Sequence, residues 1–144
     1  MSGDNVALLT EFWRVWKQEG GTGVVRRYDE FFTEDAEWCP PMRELTGARY
    51  VGCEGLGRYV HDLAQVLDGL EGELEELVEV APDVVRSKVR MRASGKVSGV
   101  AIDALMIGIS RFRDGRMSLA WASYDPVAAS KAEAAIVNGE PVPI

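Results

Sequence analysis

Three side chains of types that can do acid–base or nucleophilic chemistry lie close together in this 144-residue chain, at Asp35, Glu37 and Cys39. A carboxylate becomes a general base at neutral pH only when its surroundings, burial above all, raise its pKa. A thiol acts as a nucleophile only as the thiolate, which a neighbouring base must generate. Cys39 has no such base beside it in the sequence, so we predict a small buried apolar residue there. Asp35 is predicted to be a structural cap, and Glu37 stays open as a carboxylate near the mouth of a pocket.

The single histidine, His61, has the side chain whose ordinary pKa lies nearest to neutral. It falls off the apolar stripe of a predicted helix that includes Leu56 and Leu63, so we expect it at the surface. Cys39 and Cys53 form neither a Cys-x-x-Cys pair nor a metal-ligand pattern. No catalytic residue is therefore assigned, and the sequence predicts neither a metal nor a cofactor.

Three helices and a short strand are predicted before residue 70. Apolar residues at helical spacing indicate a first helix that ends at Gly20-Gly21, a second short helix that ends before Thr33, and a third helix that carries Tyr59. A strand over residues 36–39 separates the second and third helices, and Pro40-Pro41 ends it because proline cannot donate to a ladder. These elements bring the first candidate residues to one end of a sheet.

The segment from Glu73 to Tyr124 is predicted to be an antiparallel meander. Within it, residues 84–92 alternate basic with apolar or small side chains, the period of a strand with two different faces. Turn signals occur at Pro82-Asp83, Gly95-Lys96 and Asp114-Gly115. Asp125-Pro126 then starts a last short helix that reaches Ile136. The tail from 138 to 144 is expected to be loose.

The turns predict a strand register, because the numbers of paired residues in a hairpin have a constant sum. That sum is 165 for the first hairpin and 191 for the second. Opposite charges then face each other on the outside of the sheet and stabilise it by ~0.2–1 kcal/mol a pair. The predicted pairs are Glu79 with Arg86, Glu75 with Arg90, Glu73 with Arg92, and Lys88 with Asp103.

The third hairpin, with a sum of 229, predicts which face the last strand turns inward. It sets Trp121 opposite Gly108 and Ser123 opposite Met106 on the inner face. The outer face then carries apolar side chains that need a cover. We therefore predict a homodimer through Leu105, Ile107, Ile109 and Tyr124, and Ala120 and Ala122 are predicted to lie on the same face.

The inner face and the helices are predicted to enclose an apolar pocket that suits a small, flat hydrophobic molecule. A β-bulge would exchange Trp38 and Cys39, so the phase of that strand stays open. A filled core is the alternative reading of the same residues. The predicted ligand-binding residues are Tyr28, Trp38, Cys39, Tyr59, Ser87, Met91, Met106, Trp121 and Ser123.

Length and charge limit the classes of partner. A chain of this size fits a single domain over 1–144, with its core at about 6–136. A net charge of −7 argues against nucleic acid, because phosphate binding needs clustered Lys and Arg. No apolar stretch approaches the ~20 residues that span a bilayer, and residues 1–5 do not resemble a signal peptide. We therefore expect a cytoplasmic protein with no membrane partner.

Three segments in this order resemble the nuclear transport factor 2-like superfamily, in particular its branch of SnoaL-like polyketide cyclases and ketosteroid isomerase-like proteins. They are FFTEDAEW at 31–38, YVGCEGL at 50–56, and RFRDGR at 111–116 followed by Trp121 and Asp125. The resemblance implies an α+β fold of the cystatin-like type. In that fold a curved, cone-shaped antiparallel sheet wraps around three N-terminal helices and leaves a pocket between them.

The acidic and hydroxyl positions that the resemblance implies are occupied here by other residue types. The general-base Asp of the ketosteroid isomerases corresponds to Cys39, their oxyanion-hole acid to a position near Gly108, and their helical Tyr to Phe12 or Trp13. The Asp of polyketide cyclases and of limonene-type epoxide hydrolases corresponds to Ala122 or Ser123.

Three functional hypotheses follow. The first is an isomerase, cyclase or hydrolase that acts on a polyketide- or steroid-like compound. The second is a non-catalytic ligand-binding or accessory protein of the same fold, favoured by the absence of acids at the family positions. The third is a dimerisation module with a filled core. The volume of the cavity, and the groups that face it, distinguish the three.

Overall fold

The computed structural model describes residues 2–41 and 49–142, which form an α+β fold. The helices are α1 (Ser2–Arg26), α2 (Tyr28–Phe31), α3 (Gly52–Val66) and α4 (Pro126–Val137). The strands are β1 (Phe32–Cys39), β2 (Tyr50–Val51), β3 (Leu67–Ala81), β4 (Val84–Gly95), β5 (Ala101–Arg113) and β6 (Arg116–Ser123). No helix among the described residues is long and apolar enough to cross a membrane.

The helices begin and end close to where the sequence predicts. Gly20 has φ 72° and ψ −170° and interrupts α1, which confirms the predicted break. Asp125 caps α4, because its Oδ1 accepts a hydrogen bond from the Val127 N–H at 3.0 Å, and Pro126 occupies the first turn. Beyond α4, the Glu140 N–H donates a hydrogen bond to the Ala135 carbonyl at 2.8 Å, and Val142 is partly buried. The loose tail over 138–144 stays a prediction.

The six strands form one sheet in the order β2-β1-β6-β5-β4-β3. Neighbouring strands are antiparallel except β1 and β6, which pair in parallel. The inner face packs against α1 and α3 around an aromatic core that includes Phe12 and Phe31. A second cluster on the outer face joins β5 and β6 to α4.

The register of the first hairpin starts as predicted and then drifts. Ala81 pairs with Val84, but two irregularities along β3 bring Glu73 opposite Arg90 and Glu71 opposite Arg92. The carboxylate of Glu75 still lies 3.4 Å from Arg90, since long side chains reach diagonal neighbours. Two of the predicted ion pairs therefore form, the second being Arg92 with Glu73 at 3.1 Å.

The other two predicted ion pairs are wrong. Arg86 reaches Glu133 of α4 at 2.9 Å instead of Glu79. Asp103 lies 3.5 Å from Arg90 and 3.7 Å from Arg92 instead of near Lys88. The second error arises because the β4–β5 turn is longer than predicted.

The turn between β4 and β5 includes the residues that the prediction assigned to the start of β5. Gly99 has φ 69°, and the Gly95 N–H bonds to the Val100 carbonyl at 2.9 Å, so β5 begins only at Ala101. The paired numbers consequently sum to 195, as in Met91 with Ala104. Because the shift is an even number of residues, the inner and outer faces of β5 remain as predicted.

A bulge reverses the predicted face of β6. Arg113 pairs with Arg116 as predicted, but the register shifts by one residue between Arg111 and Phe112. Trp121 then lies opposite Ile109 and Ser123 opposite Ile107, on the outer face, whereas Ala120, Ala122 and Tyr124 turn inward. A one-residue shift exchanges the faces of a strand, so the predicted inward positions of Trp121 and Ser123 are wrong.

The outer apolar face is covered within the chain. Ile109 and Ile107 are 0% and 9% exposed because Ala129, Ala132 and Ile136 of α4 pack on them. The sequence argument for a homodimer assumed that this face lacks a cover. That assumption is wrong for Ile107 and Ile109, and Tyr124 lies on the other side of the sheet.

Candidate ligand cavity

A cavity of about 440 Å³ lies between α1, α3 and the inner face of the sheet. A volume in this range is typical of sites that hold a small organic molecule. Its described walls are apolar or aromatic. They comprise Trp13, Trp16, Trp38, Pro41, Tyr59, Leu63, Val66, Leu67, Leu70, Met91, Ala93, Ile102, Met106 and Tyr124.

Local sequence features explain how the aromatic walls are positioned. Trp13 and Trp16 are three residues apart on α1, so both face the sheet, with ring centroids 5.9 Å apart. Gly72 on β3 leaves room for Trp13, since a Cβ there would lie 2.9 Å from Cζ3 of the indole. Trp38 contacts Tyr59 of α3 with a centroid distance of 5.4 Å. Two elements that are distant in sequence thus meet at one wall.

Among the described lining residues, the polar side-chain nitrogen and oxygen atoms belong only to indole and phenol groups. The Trp38 Nε1 is buried and lies beside the Tyr59 hydroxyl without reaching full hydrogen-bond geometry. Burial raises the pKa of Tyr59 far above its ordinary value, and burial also raises the pKa of Tyr124. Both phenols therefore stay protonated at neutral pH and can donate a hydrogen bond to a ligand.

The predicted ligand-binding residues separate into three groups. Trp38, Tyr59, Met91 and Met106 line the cavity. Ser87 lies on the same face but borders a smaller space beyond it, and the Tyr28 hydroxyl instead donates to the Thr33 carbonyl at 2.7 Å. Cys39, Trp121 and Ser123 do not line the cavity.

Cys39 lies on the outer face because of the strand phase that the sequence left open. Trp38 turns inward, and Cys39, 1% exposed, pairs with Trp121 and packs in the outer cluster. The prediction of a small buried apolar residue at Cys39 is confirmed, whereas its position in the pocket wall is wrong. The parallel pairing of β1 with the bulged strand β6 puts both residues on the same face.

The carboxylates and the histidine lie outside the described cavity walls. Asp35 is exposed, and its hydrogen bond from Arg113 at 2.6 Å holds the pKa of the carboxyl below its ordinary value. Glu37 lies 3.8 Å from Arg49 in a polar groove. His61 is exposed, as predicted. In the described parts of the chain, no group of three or more His, Cys, Asp and Glu could hold a metal ion.

Sequence reasoning missed several wall residues, above all Trp16, Leu70 and Tyr124. Trp16 was assigned to a helix stripe, which does not distinguish a cavity wall from a filled core. Leu70 precedes Glu73, where the meander was predicted to begin, but β3 starts at Leu67 and carries Leu70 inward. Tyr124 was missed because of the bulge in the β5–β6 pair.

Known structures share this fold. No protein-family model matches the sequence, and no curated protein matches it. An NTF2-like protein of unknown function from Burkholderia pseudomallei superposes with a TM-score of 0.72 at 15% identity, covering 93% of this chain and 96% of that one. Two further solved structures superpose on this chain over most of their own length.

TerC, co-crystallised with polyporic acid, has a TM-score of 0.72 at 18% identity and covers 89% of this chain and 96% of its own. A protein from a Jannaschia species, described as a SnoaL-like polyketide cyclase, has a TM-score of 0.68 at 15% identity, with 96% and 94% covered. The chain therefore has the nuclear transport factor 2-like fold. The fold that the resemblance of the three sequence segments implies is thereby confirmed.

Proposed function

We propose that the protein binds a small, apolar ring compound of the polyketide or steroid type in the described cavity, without turning it over. The observation that carries this proposal is the cavity itself, whose described walls combine three indoles and two phenols with aliphatic side chains. Flat aromatic walls favour a flat ligand through stacking and edge contacts. TerC, a structure of this fold, was co-crystallised with polyporic acid.

The electrostatics of the walls support a ligand that carries oxygen acceptors and no charge. The described lining has no carboxylate, no histidine and no basic side chain, so a charged group would be desolvated without a counterion. The Tyr59 hydroxyl and the Trp38 indole N–H are neutral donors beside each other. They suit a carbonyl or phenolic oxygen at the rim of a ring system.

A binding experiment tests the proposal. Three of the four tryptophans line the cavity, and Trp121 lies in the outer cluster, so a Trp121→Phe variant reports on the cavity alone. We expect emodin, a planar polyketide-type quinone, to quench this fluorescence with saturation.

A matched pair of substitutions locates the binding site. Ala93 lines the cavity, so Ala93→Phe is expected to weaken binding at least tenfold by filling it. Ala101 lies one strand away and is exposed, so Ala101→Phe should change the dissociation constant less than twofold. Equal affinity in the two variants, or the absence of saturable quenching with emodin and with a steroid such as androstenedione, would refute the proposal.

Catalysis as an isomerase, cyclase or hydrolase is the second candidate function, and one observation favours it. The protonated Tyr59 hydroxyl and the adjacent indole N–H could stabilise negative charge that develops on a substrate oxygen. Proton abstraction also needs a base, which the described walls do not contain. Exchange of an α-proton of androstenedione into D₂O, lost in Tyr59→Phe, would establish this function over simple binding.

We also propose a cytoplasmic location, on the basis of the composition. The homodimer stays a proposal as well. Of the four residues predicted for its interface, Leu105 alone remains on an outward face that α4 leaves partly open. Sedimentation at micromolar concentration decides between monomer and dimer.

A further inference from the structure

A second, much smaller enclosed space lies beyond the floor of the large cavity. This deep compartment measures about 20 Å³ and is bordered by Ser87, Gly108 and Ser110 on the sheet. Trp13, Trp38 and Met106 border both spaces, so their side chains form the partition between them. A space of this size holds one water-sized group when polar partners surround it.

The borders of the deep compartment are polar in an otherwise apolar core. Ser87 and Ser110 are 3% and 5% exposed, and the sheet directs both toward α1. Trp13 is 7% exposed, and its Nε1 is buried without a hydrogen-bond partner among the described residues. A buried donor without an acceptor destabilises the fold, which favours an acceptor close to it.

The Trp13 indole reaches from β3 to the deep compartment. The Cζ3 and Cε3 atoms of the indole face Gly72 on β3. The Nε1 atom lies on the opposite long edge of the ring system, away from these two carbon atoms. Trp38 Nε1 provides a second buried donor on a ring that borders the same space.

Gly108 keeps the deep compartment open. A Cβ at this position would lie 2.7 Å from the Ser87 Oγ, which is closer than real Cβ atoms approach. Any other residue would displace the Ser87 hydroxyl or occupy the space beside it. A glycine in the middle of a strand costs conformational entropy and provides no side chain to pack, and its presence here leaves the serine hydroxyl free to take part in binding.

We propose that the deep compartment is a binding site for a single hydrogen-bond-accepting oxygen atom, held by the Trp13 indole N–H and the hydroxyls of Ser87 and Ser110. Two sources supply this oxygen chemistry. A water molecule can occupy the site by itself, or a carbonyl oxygen of the ligand in the large cavity can reach it past Met106. The second source rests on the proposed function, and the first does not.

The test combines a pair of ligands with a pair of variants. 9-Fluorenone and fluorene share one planar ring system and differ in a carbonyl oxygen, so the ratio of their dissociation constants isolates the oxygen. Ser87→Ala removes a hydroxyl of the deep compartment without touching the large cavity. Ser118→Ala is the matched control, since Ser118 bonds to the Arg111 carbonyl outside both spaces.

If the ligand supplies the oxygen, fluorenone binds at least tenfold more tightly than fluorene, and Ser87→Ala reduces that ratio to about two while Ser118→Ala does not. If water supplies it, the two ligands bind within twofold of each other, and a high-resolution crystal structure shows density for one water within hydrogen-bond distance of Trp13 Nε1. That density disappears in Gly108→Ala.

Two results together overturn the proposal. The crystal structure shows no density for water in the deep compartment, and Ser87→Ala leaves the ratio of the two dissociation constants unchanged. Failure of both compounds to bind refutes the proposed ligand function instead, and the crystal density then decides the water site by itself. Thermal unfolding of each variant verifies that it is folded before either result is interpreted.

Discussion

Shortening Ile136 to alanine tests whether α4 is an integral cover of the outer sheet face. Ile136 is 2% exposed and packs in the outer cluster with Ile109 and Trp121. The substitution removes three carbon atoms, worth about 2.4 kcal/mol at ~0.8 kcal/mol each. The space left behind adds to this, because neighbouring side chains relax only in part. We therefore expect the free energy of unfolding to fall by about 2.5–4 kcal/mol.

Urea denaturation, followed by circular dichroism, measures this change, and the next residue provides the control. Val137 is 43% exposed, so Val137→Ala should cost less than about 0.5 kcal/mol. The fluorescence of Trp121 should also shift to longer wavelength in Ile136→Ala at urea concentrations below the main transition. Equal stabilities of the two variants would show that α4 is not docked as described, and the outer face would again need another cover.

Two further predictions concern the walls of the large cavity. Because burial raises the pKa of Tyr59, the unfolded chain releases this phenolic proton near pH ~10 while the folded chain retains it, so the free energy of unfolding falls as the pH rises above that value. Tyr59→Phe should make this decline shallower by up to about 1.4 kcal/mol per pH unit in urea titrations between pH 9 and 11, and an unchanged slope would contradict the burial of the hydroxyl. Gly72→Ala should destabilise the protein by about 1–3 kcal/mol, because its Cβ would press on Trp13, whereas Gly57→Ala, with its nearest neighbour at 3.9 Å, should stabilise α3 by up to ~1 kcal/mol. Thermal unfolding compares these two variants, and the same sign for both would refute the described packing.

The order and type of the elements were predictable, because each depends on residues within a few positions of one another. Gly20 breaks α1, and the Asp125-Pro126 pair starts α4. The turn at Asp114-Gly115 pairs Arg113 with Arg116 as predicted. Local chemistry determines such features before any tertiary contact forms, so a single sequence suffices to predict them.

Strand register was less predictable, because irregularities accumulate along long strands. The bulge between Arg111 and Phe112 has no signal in the sequence that distinguishes it from a regular pair. Its consequence is large, since it exchanged Trp121 and Ser123 for Ala122 and Tyr124 on the inner face. The packing of α4 on the outer face was equally hard to predict. This helix is short and rich in alanine, so its sequence gives no sign that it covers the sheet.

The residues of the candidate site were predicted where only the type of element mattered and missed where strand register mattered. Trp38, Tyr59, Met91 and Met106 were placed correctly, because their elements were correct and their phases were undisturbed. The bulge reverses the two faces of β6, so the residues of this strand were predicted on the wrong face. Cys39 was also predicted on the inner face, whereas it lies on the outer one. Whether any of these side chains contacts a ligand stays a prediction until binding is measured.

The size of the large cavity bears on the choice between a binding site and a core. The cavity of about 440 Å³ is open to solvent on one side, where Val66 and Tyr124 are half-exposed, so its apolar walls stay in contact with water. Removing such walls from water stabilises a fold by ~25 cal/mol per Å² of apolar area. A larger apolar residue in place of Ala93 could gain part of this free energy within the chain, and an apolar ligand would gain it by binding. A filled core is thus the reading that the geometry disfavours, and a rise in the unfolding temperature with emodin concentration is the simplest sign that the cavity takes an occupant.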